Sequence, residues 1–139
     1  MKSEGDALVQ ALIDYVQAFQ TLDPAAVVAY CDVPCVMITR ETTLVMATPA
    51  ATEAMFARLM DGLRARGYAR SELTDLRVKQ VADGLAFVSV SRARYRTDGT
   101  EMERLGETYT LRLTGQGWKI AAAVVHAPGL ALTASTIAA

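Results

Sequence analysis

Six side chains of this 139-residue sequence could take part in chemistry if the fold gathered them: Tyr15, Ser89, Ser91, Glu107, Tyr109 and His126. A carboxylate or imidazole held against an apolar wall can move a proton, and a tyrosine hydroxyl beside it can donate to an oxygen on which negative charge develops. Glu107 and His126 are the candidate bases, and Tyr15 and Tyr109 the candidate donors. His126 is the one histidine of the chain, and imidazole titrates where proton transfer near neutrality needs it. Ser89 and Ser91 stand in no nucleophile elbow, and no acid is placed to orient His126 toward either. Each of the six also has a purely structural reading. A hydroxyl on a core face bonds neighbouring backbone, and an acid or imidazole near a strand end reaches water or an arginine at the rim.

Metal chemistry finds little support. Cys31 and Cys35 are the two cysteines, and neither a second pair nor a histidine cluster completes a tetrahedral site, so neither metal nor cofactor is expected. They read as reduced thiols in preference to a disulfide. Fourteen Lys and Arg against fifteen Asp and Glu leave a net charge of −1, which gives no basic field for a phosphate backbone and disfavours nucleic acid as a partner. The arginines at 92, 94, 96, 104 and 112 are interleaved with Asp98, Glu101 and Glu103. Glu4 and Asp6 stand where a signal peptide would be basic and then apolar, and no later apolar run has membrane-spanning length, so a cytoplasmic protein without membrane contact is expected. With 52% hydrophobic residues the chain can bury one sizeable core, as a single domain over 1–139.

The elements that must position the six can be read from periodicity. Leu8, Leu12, Tyr15 and Phe19 form one stripe of an amphipathic helix. Asp23 and Pro24 start a short second helix over 24–30, stopped by Val33 and Pro34. Residues 35–47 read as a hairpin around Arg40, Glu41 and Thr42, with the facing of Thr39 and Glu41 open. Thr48 and Pro49 open a third helix carrying Met55, Leu59 and Leu63, ending at Gly67. Beyond it the period becomes twofold, with strands at 72–82, 85–97, 102–113 and 118–126 joined by short glycine turns that impose antiparallel pairing. Helices first and a meander after is a segregated α+β pattern.

Alternation then assigns facing. Leu105, Glu107, Tyr109 and Leu111 are expected to point toward the helices. On 85–97 the arginines mark the solvent side, taking Val88 and Val90 with them and turning Phe87, Ser89 and Ser91 inward. On 118–126, Trp118, Ile120, Ala122, Val124 and His126 form the inward set. The expected pocket therefore sets the six polar groups among Phe19, Met55, Leu59, Phe87 and Leu111. Val88, Val90, Thr108 and Thr110 on the outer face are the expected homodimer contact, with the arginines at its rim and the tail over 128–139 either frayed or docked on the partner.

This order of elements, with the Asp23–Pro24 junction after the Tyr15 helix and with Tyr109 to Leu113 leading through a glycine turn into Trp118, Lys119 and Ile120, resembles the nuclear transport factor 2-like α+β cone over residues 5–127. The likeness is greatest to its SnoaL-like and ketosteroid-isomerase-like branch. The resemblance implies a cystatin-like fold: three helices packed in a strongly curved, mainly antiparallel mixed sheet around a mostly apolar cavity. It places Tyr15 where the isomerases carry a donor to the oxyanion and Tyr109 where they carry a protonated aspartic acid. Thr39 stands where their base aspartate would be. The implied function is binding of an apolar or aromatic small molecule, with cofactor-free isomerase, cyclase, dehydratase or hydrolase chemistry as its catalytic form. The alternative is a non-catalytic dimeric binding or accessory module.

Overall fold

The computed structural model describes residues 3–129 and Leu132; the remainder of the expected tail lies outside the described residues. Helix α1, Glu4–Gln20, opens with a capping box in which the Ser3 hydroxyl accepts from the Asp6 N–H at 3.1 Å and the Asp6 carboxylate accepts from the Ser3 N–H at 3.4 Å. Its buried stripe is Leu8, Leu12, Tyr15 and Phe19, as the spacing predicts, with Val16 buried beside them. Truncating a fully buried leucine such as Leu12 to alanine would cost about 2–5 kcal/mol. Asp23 caps the short α2, Pro24–Val28. Thr48 caps α3, Pro49–Ala65, by accepting from the Ala51 N–H, and the chain leaves that helix through Gly67 at φ 82°.

The strands are β1 Cys31–Ile38, β2 Thr43–Met46, β3 Tyr68–Ala82, β4 Leu85–Arg96, β5 Glu101–Thr114 and β6 Gly117–His126. They form one mixed sheet in the order β2-β1-β6-β5-β4-β3, antiparallel except where β1 runs parallel to β6. β1 starts before Val33 and Pro34 rather than after them, and its register to β6 shifts between Cys31 and Val36, where Pro34 has no N–H to give the ladder. β3 starts at Tyr68, since Tyr68 and Arg70 pair with Arg96 and Tyr95. The helices pack on one face of the sheet, where Leu8, Leu12, Val27 and Met60 meet Val88, Val90, Leu111 and Ile120. This α+β arrangement is the expected class.

Facing follows expectation on β5 and departs from it on its two neighbours. Residues directly opposite in an antiparallel pair share a face. Val88 lies opposite Tyr109, Val90 opposite Glu107, Arg92 opposite Leu105 and Arg94 opposite Glu103, so with Tyr109 and Leu111 inside, the valines and both arginines are inside too. Arg92 and Arg94 are only 2% and 7% exposed. Phe87, Ser89 and Ser91 belong to the outer face, with Phe87 partly exposed. The expectation failed because it took positive charge as a mark of solvent, whereas carboxylates across the ladder accompany these guanidinium groups inward.

On β6 the register to β5 shifts between Thr110 and Leu111, so that Leu111 pairs with Ile120 but Thr110 with Ala122. One extra residue reverses the parity of everything beyond it. Trp118 and Ile120 are buried as expected, while Ala122, Val124 and His126 fall on the outer set and Ala123 and Val125 on the inner. His126 is thus an outer-face residue. Its Nε2 lies 2.7 Å from Thr108 Oγ1, which is 2.6 Å from Ser89 Oγ, and its Nδ1 lies 2.9 Å from the Ala127 carbonyl. Just beyond, the Gly129 N–H donates to Ser91 Oγ at 3.1 Å, so the chain after β6 folds back over the serines. Gly106 makes this possible, because a Cβ there would lie 2.6 Å from the imidazole and 2.7 Å from the Ala127 carbonyl oxygen.

Candidate functional site

The inner face gathers one set of charged and phenolic groups. β4 supplies Arg92, β5 supplies Glu107 and Tyr109, and α1 supplies Tyr15, all four buried. Arg92 Nη2 donates to the Tyr109 hydroxyl and lies 3.4 Å from Glu107 Oε1. The Tyr15 ring meets the Tyr109 ring edge-on at 5.8 Å and is boxed in by Phe19, Tyr30 and Phe56. Burial raises the pKa of Tyr15 and Tyr109 above the ordinary tyrosine value, with Glu107 adding to it, so both hydroxyls stay protonated donors. For Arg92, burial opposes the charge, but the oxygens of Tyr109, Glu107 and Tyr15 outweigh it and hold the guanidinium protonated.

Two spaces adjoin this cluster. Between the helices and the sheet lies a void of about 20 Å³, lined by Tyr15, Met55, Phe56, Tyr109 and Glu107 among others, which is room for about one water molecule. Cys31 and Cys35 share that lining; the Cys31 thiol, donating toward Cys35, draws the Cys35 pKa down to about 7, and its own is raised in return. Toward the outside is an open cleft of about 460 Å³. Met37, Leu59, Leu63, Leu105 and Val125 make its apolar wall, and Arg58, Arg66, Arg94, Glu103 and Glu107 its charged groups. Its volume is in the range of about 300–1,000 Å³ usual for small-molecule sites. Glu107 lines both spaces and stands between them. A larger opening of about 740 Å³, between the start of α1 and the β5–β6 turn, contains none of these buried charges.

At the cleft, Arg66 Nη1 pairs with Glu103 Oε1 at 2.8 Å, and Arg94 Nη1 lies 3.7 Å from that same oxygen. The Arg94 guanidinium also lies over the Phe19 ring at 5.8 Å. Among the described residues no three His, Cys, Asp or Glu side chains gather as a metal ligand set, and no helix is long and apolar enough to cross a membrane.

A family model described as "NTF2-like protein (DUF6841)" matches residues 4–128. The chain belongs to this NTF2-like family. Solved structures share the fold. An NTF2-like protein with a cystatin-like fold from Novosphingobium aromaticivorans superposes with a TM-score of 0.67 at 18% identity, over 84% of this chain and 76% of that one. An NTF2-like protein of unknown function from Shewanella oneidensis gives 0.70 at 16% identity, over 88% and 98%. A putative calcium/calmodulin dependent protein kinase II association domain from Xanthomonas campestris gives 0.64 at 17%, over 87% and 86%. No curated protein matches the chain. Likeness at these identities establishes the cone and leaves its chemistry to this chain's own residues.

Within the NTF2-like cone, Tyr15, Glu107 and Tyr109 come together, Met55 lines the void and Leu59 the cleft. Phe19 and Leu111 are core residues that line neither space, although Phe19 packs against Tyr15 and beneath Arg94. Phe87, Ser89, Ser91 and His126 stand apart from the cluster, on the other side of the sheet. Thr39 lines the cleft with its hydroxyl accepting from the Glu41 and Thr42 N–H groups, and Glu41 is exposed in the turn. Arg92, Arg94, Arg66 and Glu103 are the members that facing rules missed. The signal lies in the register: past a one-residue shift between Arg94 and Tyr95, Val90 stands opposite Glu107, and an inward Glu107 then requires inward arginines at 92 and 94.

Proposed function

We propose that this NTF2-like protein binds a small apolar or aromatic molecule at the mouth of its cone, with Glu107 as the polar group that meets it. One observation carries the reading: Glu107 is a buried carboxylate at the floor of an apolar-walled cleft of about 460 Å³, held in place by Arg92 from behind. A base needs both access to its proton and a fixed position, and this arrangement supplies both. The catalytic form of the function is metal-free proton transfer with Glu107 as base and Tyr109 beside it. Non-catalytic binding is the second reading, favoured by the size of the void: at about 20 Å³ it lets no ligand pass between Tyr15 and Tyr109, so the two hydroxyls would serve the core rather than an oxyanion.

A thermal-shift screen of a metabolite library, run on wild type and on Leu59→Arg, tests the site. Ligands of the cleft raise the wild-type Tm, by the equivalent of about 2.7 kcal/mol at a hundredfold excess over Kd, and lose that effect when an arginine side chain fills the cleft. Hits that stabilise both proteins equally would place binding elsewhere. For any ligand that is turned over, Glu107→Gln should lower kcat by about 10²–10⁴-fold, and an unchanged kcat would leave the binding reading alone standing.

Association into a homodimer through the outer sheet face is proposed on a redrawn surface. Val88 and Val90 are core residues, but Ile38 and its ladder partner Val124 are exposed on that face, with Phe87 and Val45 farther across it. A Val124→Glu substitution should halve the light-scattering mass at micromolar concentration; a monomeric wild type would end the proposal.

A further inference from the structure

Arg94 is buried and its hydrogen bonds are missing. A charged guanidinium with five donors is costly to take from water unless those donors are met. Among the described residues Arg94 makes no hydrogen bond: Nε is fully buried and unmatched, as Arg92 Nε also is, but where Arg92 Nη2 meets the Tyr109 hydroxyl, the Arg94 guanidinium has only Glu103 Oε1, 3.7 Å away and paired with Arg66 at 2.8 Å. The group lines the cleft. A guanidinium fork of this kind matches a planar carboxylate bidentately.

We infer that the cleft is built for a monocarboxylic acid, with Arg94 receiving the carboxylate and the apolar wall receiving the rest of the molecule. This rests on the cleft being the binding site and names the class of ligand for it. At the buried level charge selects a monoanion: Arg66 is matched by Glu103 and Arg92 by Glu107, which leaves Arg94 as the buried positive charge without a close partner, and a dianion there would face both carboxylates. Arg58, the other cation of the cleft lining unpaired among the described residues, is exposed to solvent. Register sets the length. Arg94 pairs across from Glu103, four residues along β5 from Glu107, which at strand rise separates the two levels by about 13 Å. A ligand anchored on Arg94 therefore runs along Leu105 and Leu59 and presents its far end, rather than its acid group, to Glu107.

The test compares 4-phenylbutyrate with its neutral isostere 4-phenylbutanamide by titration calorimetry on wild type, Arg94→Met, Arg94→Lys and Leu59→Arg. The acid should bind wild type about ten- to a hundredfold more tightly than the amide. Arg94→Met should remove that preference while leaving the amide unaffected, and Arg94→Lys, which keeps the charge but loses the fork, should retain part of it. Should Arg94→Met fail to fold, a partial loss in Arg94→Lys carries the result. Equal binding of acid and amide, both abolished by Leu59→Arg, would overturn the carboxylate inference and leave the cleft standing as a site. An acid preference that survives in Arg94→Met would overturn it as well, and failure of both compounds to bind would count against the inference and the binding site together.

Discussion

Arg92 and Arg94 stand two residues apart on the same face of β4, 2% and 7% exposed, and their surroundings could hardly be less alike. Arg92 has the Tyr109 hydroxyl and the Glu107 carboxylate on its Nη2, with two tyrosine rings closing over them, although its Nε, like that of Arg94, is buried without a hydrogen bond. Arg94 has an aromatic ring, a carboxylate beyond hydrogen-bond reach and an open cleft. A buried charge with its partners fixes an arrangement, whereas a buried charge without them raises the energy of the empty protein and lowers that of whatever supplies the missing acceptor. On the proposal that the cleft takes a carboxylic acid, the first level of the cone serves stability and the second a ligand.

Breaking the partnered level should have the largest effect. Arg92→Met leaves Glu107 unpaired beside an apolar core, and should cost about 3–5 kcal/mol, read as a fall in Tm on the order of 10 °C. Removing both charges in Arg92→Met with Glu107→Leu should recover much of that loss, which a double-mutant cycle in urea measures as a coupling of opposite sign to the single effects. A smaller effect tests the facing on which both arginines depend. If Gly106 lies under the His126 ring on the outer face, then residues 105 and 107 point inward. Gly106→Ala should cost about 1–3 kcal/mol as the imidazole and the Ala127 carbonyl are pushed away, and a neutral result would undo the assigned facing of β5.

The smallest effect concerns the thiols beside Tyr109. The Cys31–Cys35 pair should release a single proton near pH 7, seen as thiolate absorbance, and no second one in the range where free cysteine titrates. Because the folded Cys35 has the lower pKa, the unfolded chain binds the extra proton between about pH 7 and 9, so this group's contribution to stability is present above pH 9 and lost as pH falls through 7. The Tm difference between wild type and Cys35→Ser should therefore grow as pH rises from about 7 to 9.

Much of the cone was legible because its helices and turns are locally determined. Asp23 and Thr48 cap where their side chains can reach the free amides, and the glycine turns leave the meander few alternatives. Tyr15 was legible from the apolar stripe of α1, and Glu107 and Tyr109 because β5 alternates cleanly. Two things were hidden. The parity reversal in β6 falls within Ala121, Ala122 and Ala123, three identical small residues that carry no sign of which face they prefer, and His126 beyond them was misplaced in consequence. The inward arginines were hidden because charge is ordinarily a reliable mark of solvent, and only the partner strand reveals that carboxylates share their face.

The comparison between the two arginines is tested most directly without any ligand, by measuring the Tm of Arg94→Met beside that of Arg92→Met. Arg94→Met should match or exceed wild type, because it removes a buried charge that has no hydrogen bond and leaves Glu103 with Arg66. If it instead falls as far as Arg92→Met, Arg94 is a structural residue like its neighbour, and the cone has no level set aside for a ligand.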